Sequence, residues 1–179
     1  DRFMREAKAM AKLKHANIVQ IYTVGAHEDI PFFAMEYIEG KPLSEVIAEE
    51  GPLNVNQALD YLKQIAAAIG MAHGMRLIHR DIKPANILVE PSGRVLVTDF
   101  GVSKMLSDEA SQQTLALVGT PQYMSPEVCL GENFDHRTDI YSLGVLFFEM
   151  LTGAAPFKGA TPIETMRKQV SDIPQMPVE

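Results

Sequence analysis

Residues 79–86 read His79-Arg80-Asp81-Ile82-Lys83-Pro84-Ala85-Asn86, an imidazole, two cations, a carboxylate and an amide within one octet. Short apolar pieces flank it, Leu77-Ile78 before and Ile87-Leu88-Val89 after, so the octet is a polar loop held between buried segments. Beyond it, Pro91-Ser92-Gly93 makes a turn into Val95-Leu96-Val97, a second short strand, and Asp99-Phe100-Gly101 follows at its end. Before it, Asn54 with Gln57 forms a capping box. An apolar stripe (Val55, Leu59, Leu62, Ile65, Ala66, Ile69) predicts a helix from there to about His73, stopped by Gly74.

Further out, Arg2 to Lys14 reads as a helix, with Phe3, Ala7, Met10 and Ala11 on one face. Ile18 to Val24 and Phe32 to Ile38 read as adjacent strands separated by the turn-like Gly25 to Pro31. Ser103 to Thr114 is a long polar stretch without periodicity, and loops of that length are usually functional or disordered. Thr138 to Leu151 is apolar on every side, which predicts a helix in the middle of the domain. Thr161-Pro162-Ile163-Glu164 caps a last helix reaching about Val170.

Composition narrows the function. The 179 residues are 46% hydrophobic and 22% charged, a globular balance. Sixteen cations against 23 anions give a net charge of −7, which argues against a general nucleic-acid binder. Cys129 is the only cysteine, so no internal disulfide forms and a reducing, cytoplasmic setting is expected. The longest apolar run, Leu143 to Phe148, falls far short of the ~20 residues of a membrane span.

Alone, Asp-Phe-Gly reads as a turn and His-Arg-Asp as a solvated loop. The octet, Asp99-Phe100-Gly101 and the later Gly119-Thr120-Pro121-Gln122-Tyr123-Met124-Ser125-Pro126-Glu127, in that order and context, resemble the protein kinases. The serine/threonine branch, in its bacterial form, fits best. The resemblance runs through the whole chain, from the family's C helix to its G helix. It implies an α+β protein-kinase-like fold, with a partial small lobe of one helix and two strands in residues 1–38. Residues 39–179 are then most of the helical large lobe.

The resemblance assigns roles. Asp81 is the catalytic base, Lys83 the cation on the transferred phosphate, and Asn86 and Asp99 the ligands of Mg2+ on ATP. His79 is structural, packed under Phe100. Asp139 accepts hydrogen bonds from the His79-Arg80 backbone. Met35 is the gatekeeper, and the Glu36 carbonyl and Ile38 backbone bond adenine. Lys83 and Thr120 point to serine/threonine rather than tyrosine substrates, with Thr120 hydrogen-bonded to Asp81 and Lys83. Ser125 stands where the family usually has alanine, a change expected to be harmless. Arg80 marks kinases whose activation loop is ordered by phosphorylation, with Thr114 as the phosphorylated position and Arg2, Arg80 and Lys104 as its pocket.

Glu6 matches the glutamate that pairs a strand lysine, yet no Gly-x-Gly occurs and the lysine would lie upstream. The arginine that pairs a buried Glu127 is also absent. The expectation is a fragment cut at both ends, weak in nucleotide binding by itself. A non-catalytic pseudokinase module is the competing reading. Retention of Asp81, Lys83, Asn86 and Asp99 disfavours it.

Overall fold

A computed structural model describes residues 10–28, 30–100 and 120–175. Two strands, β1 (Ile21–His27) and β2 (Ile30–Met35), pair antiparallel as a hairpin. β3 (Lys41–Pro42), β4 (Ile87–Val89) and β5 (Val95–Val97) form a second, antiparallel sheet in that order. The helices are α1 (Leu43–Glu50), α2 (Val55–Gly74), α3 (Pro126–Cys129), α4 (Arg137–Thr152) and α5 (Pro162–Ser171).

The core lies between α2, α4 and the β4–β5 sheet. Leu43, Ile65, Ile69, Ile82, Ile87, Leu96, Leu146 and Met150 are all essentially sealed from solvent. Each contributes about 1.5–3 kcal/mol by burial. Ile82 inside this set pins the middle of the 79–86 loop to the core.

Local signals located α2 and α5 well. The Asn54 carboxamide oxygen accepts from Gln57 N at 3.0 Å, and the Thr161 hydroxyl accepts from Glu164 N at 3.2 Å. The buried face of α2 differs from the expected stripe, however. Ala58, Tyr61, Ile65, Ala68, Ile69 and Ala72 face inward, while Val55 is 58% exposed and Leu59 and Ala66 are exposed. Three alanines on the inner face leave the helix room to approach its neighbours closely, and that contact outweighs the larger side chains nearer its start.

Other expectations need correction. The helix expected over residues 2–14 has ended by Met10, after which Leu13 turns inward to be buried at 2% exposure; residues 1–9 lie outside the described set. The hairpin extends through Gly25 instead of turning there. Gly25 sits opposite Phe32, whose ring would lie 2.7 Å from a β-carbon at that position, so the glycine makes room for a cross-strand aromatic. The chain reverses instead beside Glu28, whose φ is 49°. α1 has little sequence signal, because its apolar face is only Leu43, Val46 and Ile47. α4 is not covered all round: Ile140 is 55% exposed and Gly144 also faces out.

The hairpin side is tied to the core by Asn17, whose Nδ2 donates to Gln64 Oε1 at 2.8 Å and to the Val95 carbonyl at 2.7 Å. Val19 N donates to the Val97 carbonyl at 3.0 Å and Val97 N to the Asn17 carbonyl at 2.9 Å. These bonds fix the hairpin's base beside β5, and therefore beside the residues that follow it.

Candidate active site

The 79–86 loop is built on a buried carboxylate. Asp139, in the first turn of α4, is 1% exposed. Its Oδ2 accepts from His79 N at 2.8 Å, its Oδ1 from Arg80 N at 2.9 Å, and His73 Nε2 lies 2.7 Å from Oδ2. Arg80 has a φ of 67°, a left-handed conformation that a side-chain-bearing residue adopts at a cost. The paired N–H bonds to one carboxylate hold the backbone there, and its reversal presents Asp81.

His79 is fully buried, and its bonds define its tautomer. The Thr98 carbonyl, 3.0 Å from Nε2, can only accept, and the Asp81 N–H, 3.2 Å from Nδ1, can only donate. The ring therefore carries its proton on Nε2 and is neutral. It packs on Phe100 with ring centroids 4.5 Å apart. Burial pushes the His79 pKa down, against the opposing pull of the Asp139, Asp81 and Asp99 carboxylates. The unfolded imidazole takes up a proton near pH ~6.5 while the folded one resists it, so stability is lost as pH falls below that value. Urea midpoints measured from pH 7 to 5 are expected to fall, and His79→Gln, less stable throughout, should lack that part of the slope. A parallel pH dependence in the two proteins would contradict this.

Around Asp81 the polar groups converge. Lys83 Nζ lies 2.8 Å from Asp81 Oδ2. Asn86 Nδ2 donates to the same oxygen at 2.9 Å and to the Asp81 carbonyl at 2.8 Å. A turn over Pro84–Asn86, with proline in its first position, brings Asn86 back toward Asp81. Asn86 leads into β4 and Asp99 leaves β5, and Thr98 N donates to the Asn86 carbonyl at 3.0 Å, so the two strand ends are neighbours. Asp99 is exposed, with a φ of 57°.

The donor chemistry suits magnesium. Asn86 spends its amide N–H groups on Asp81, which leaves its Oδ1 to offer to a cation, and Asp99 supplies a carboxylate. Among the described residues no cluster of three His, Cys, Asp or Glu side chains is arranged for a metal. A hard cation held by one amide oxygen and one carboxylate would complete its shell with phosphate oxygens and water, the habit of magnesium at nucleotide sites.

The remaining expected residues are more scattered. Met35 ends β2 at 42% exposure, and Glu36 and Ile38 are half-buried in the irregular segment after it, not in a strand. Glu36 N is already bonded to the Gln20 carbonyl at 2.8 Å. Gly40 closes this segment against β4, where a β-carbon would sit 2.5 Å from the Val89 carbonyl oxygen. Arg80 carries its guanidinium over the Phe134 ring at 5.6 Å. Thr120 is half-buried at the head of the Pro121–Tyr123 turn. The expected bond from its hydroxyl to Asp81 or Lys83 is not among the contacts of the described residues. Glu127 is half-buried rather than buried, so the full cost of an unpaired interior charge does not arise. Glu6, Gly101 and Thr114 lie outside the described residues, as do Arg2 and Lys104.

Several further side chains support the site, and for all but Ser125 the sequence motifs assign no such role. His73 shares the Asp139 carboxylate. Ser125 is completely buried, its hydroxyl 2.7 Å from that of Thr138, so the serine belongs to a matched polar pair. Tyr123 donates to Glu149 Oε2 at 2.6 Å, and burial pushes both the phenol and the carboxyl pKa up. The available signal was a polar residue on an otherwise apolar helix face, as with Thr138, Ser142 and Glu149 in α4.

A neutral, buried histidine and a strained backbone present a carboxylate held by a lysine and an asparagine, and a second carboxylate follows the neighbouring strand. Asp81, Lys83 and Asn86 thus meet in one loop on an α+β scaffold, with Asp99 at the end of the adjoining strand. The family described as protein kinase domain matches residues 1–178, and the chain belongs to it. A probable serine/threonine-protein kinase of Clostridium acetobutylicum is 42% identical over 178 residues, covering 99% of this chain and 27% of the relative. The serine/threonine-protein kinase PrkC of Bacillus subtilis is 43% identical over 169 residues, 94% of this chain and 26% of its own. PknB of Mycobacterium tuberculosis is 38% identical over 182 residues, 98% and 29% respectively. The chain thus spans about a quarter of the length of these relatives. The family uses ATP and magnesium. Among the described residues no helix is long and apolar enough to cross a membrane.

Proposed function

We propose that the protein containing this chain transfers the γ-phosphate of ATP to serine and threonine hydroxyls of other proteins, in the cytoplasm and without nucleic acid as a partner. The observation that carries this is the Asp81 carboxylate held within 2.8 Å of Lys83 and 2.9 Å of Asn86, an acceptor oriented by its neighbours. Asp81 takes the proton of the incoming hydroxyl, and Lys83 offsets negative charge on the group in transit. Asn86 Oδ1 and the Asp99 carboxylate hold Mg2+, which when bound neutralises phosphate charge. Residues 36–38 receive adenine behind Met35, and Glu6 orients a lysine of the small lobe. Residues 1–38 belong to the small lobe and 39–179 to the large. Thr120 lies at the head of the substrate platform, and phosphorylation of Thr114 orders the loop before it.

Full-length protein incubated with labelled ATP, Mg2+ and an acceptor protein should yield phosphoserine and phosphothreonine. Transfer should stop without the metal and fall by ~10² or more in Asp99→Asn, the scale for removing one electrostatic contact to a reacting group. Metal-independent transfer, or none by the wild type, would refute the reading.

A further inference from the structure

α5 buries only two side chains, Thr165 and Gln169, and both are polar. A helix on the surface of a domain normally docks through an apolar stripe. Thr165 is used locally: its hydroxyl accepts from Gly159 N at 2.9 Å and donates to the Thr161 carbonyl at 3.2 Å. Gln169, 3% exposed, reaches across the fold instead. Its Nε2 donates to the Pro121 carbonyl at 3.0 Å and to the Gln122 carbonyl, and its Oε1 accepts from the Tyr141 hydroxyl at 2.6 Å. Both N–H groups and the oxygen of the buried amide are therefore engaged.

The target of this amide is specific. Ser142 Oγ donates to the Tyr123 carbonyl at 2.7 Å. Three consecutive carbonyls, of Pro121, Gln122 and Tyr123, thus each receive a side-chain hydrogen bond from α4 or α5. Loop carbonyls at a surface are ordinarily served by water. Here they are fixed by side chains, and the fixed turn begins at Thr120. A leucine at position 169 would fill the space and bury more apolar surface, but it would leave the carbonyls and the Tyr141 hydroxyl without this partner.

We propose that Gln169 is a positioning residue for the protein substrate, holding the turn after Thr120, with Tyr141 as its orienting partner, in the one conformation against which the acceptor peptide is laid. This rests on the kinase reading above and deepens it. α5, far along the chain from the 79–86 loop, then governs acceptor binding without touching the nucleotide.

The test uses full-length protein with myelin basic protein as acceptor, and measures the acceptor KM, the ATP KM and ATP hydrolysis without acceptor. Gln169→Leu should raise the acceptor KM by about tenfold or more, since small misplacements of a binding surface carry large penalties. Tyr141→Phe, which removes one hydrogen bond, should raise it by about threefold. The ATP KM and acceptor-free hydrolysis should stay within about twofold, the scatter expected for uncoupled sites. Acceptor KM values unchanged in both variants, or a parallel loss of hydrolysis, would overturn the proposal. If Gln169→Leu does not fold, Tyr141→Phe decides alone. Absence of transfer by the wild type would refute the kinase reading and this with it, whereas wild-type transfer with unmoved acceptor KM values would refute only this.

Discussion

Asp81→Asn is expected to reduce turnover by ~10²–10⁴ in the full-length protein, the range for loss of a general base. The change is nearly isosteric, so its effect should be chemical. The asparagine can still offer an oxygen to Asn86 Nδ2 or to Lys83, at 2.9 and 2.8 Å in the wild type, but it cannot take a proton from the acceptor hydroxyl. ATP affinity should change little. The surrounding fold should also hold, since Ile82 stays in the core and the His79 and Arg80 backbone bonds do not involve the Asp81 side chain. Single-turnover phosphate transfer, set beside nucleotide titration and a melting curve, separates the two. A loss under about tenfold would deny Asp81 the role of base. A melting point that fell as steeply as turnover would make it structural.

Asp139→Ala is expected to damage the fold first and catalysis as a consequence. Removing a carboxylate at 1% exposure orphans the N–H groups of His79 and Arg80, and each buried, unpaired donor costs about 1–3 kcal/mol. The left-handed backbone at Arg80 then loses its restraint, so the total is on the order of 3–5 kcal/mol. For a chain of this size, that lowers the melting point by roughly 10 °C. The loop that presents Asp81 should loosen even at temperatures where the protein is folded. Amide exchange at His79 and Arg80 should therefore quicken more than exchange in the α2 core. Asp139→Asn keeps one accepting oxygen and should fall between alanine and wild type. Uniform protection across loop and core in the alanine variant would show that Asp139 does not anchor the loop.

Much of the site could be read without coordinates because its parts are close in sequence. Asp81, Lys83 and Asn86 lie within six positions, and a proline turn brings the last back to the first. The same locality made α2 and α5 legible, since an N-cap acts across three residues. β4 and β5 were legible as short β-branched runs around the Gly93 turn. Gly25 misled because glycine marks both a turn and a place where another side chain needs room, and only the position of Phe32 distinguishes them. The α2 stripe misled for a similar reason. Hydrophobicity alone favoured Val55 and Leu59, while close packing turned Ala58 and Ala68 inward.

The sequence alone determined the class of protein and the local meeting of Asp81, Lys83 and Asn86, because the class is written in short motifs and these three residues need only a turn to meet. The tertiary structure decided what holds those groups still. The His73–Asp139 contact joins positions 66 residues apart, and Gln169 reaches carbonyls 47 and 48 residues away. No local periodicity encodes such pairs. A buried imidazole, carboxylate or amide is tolerable only when its partner arrives from elsewhere in the chain, and which partner arrives is a property of the packed fold.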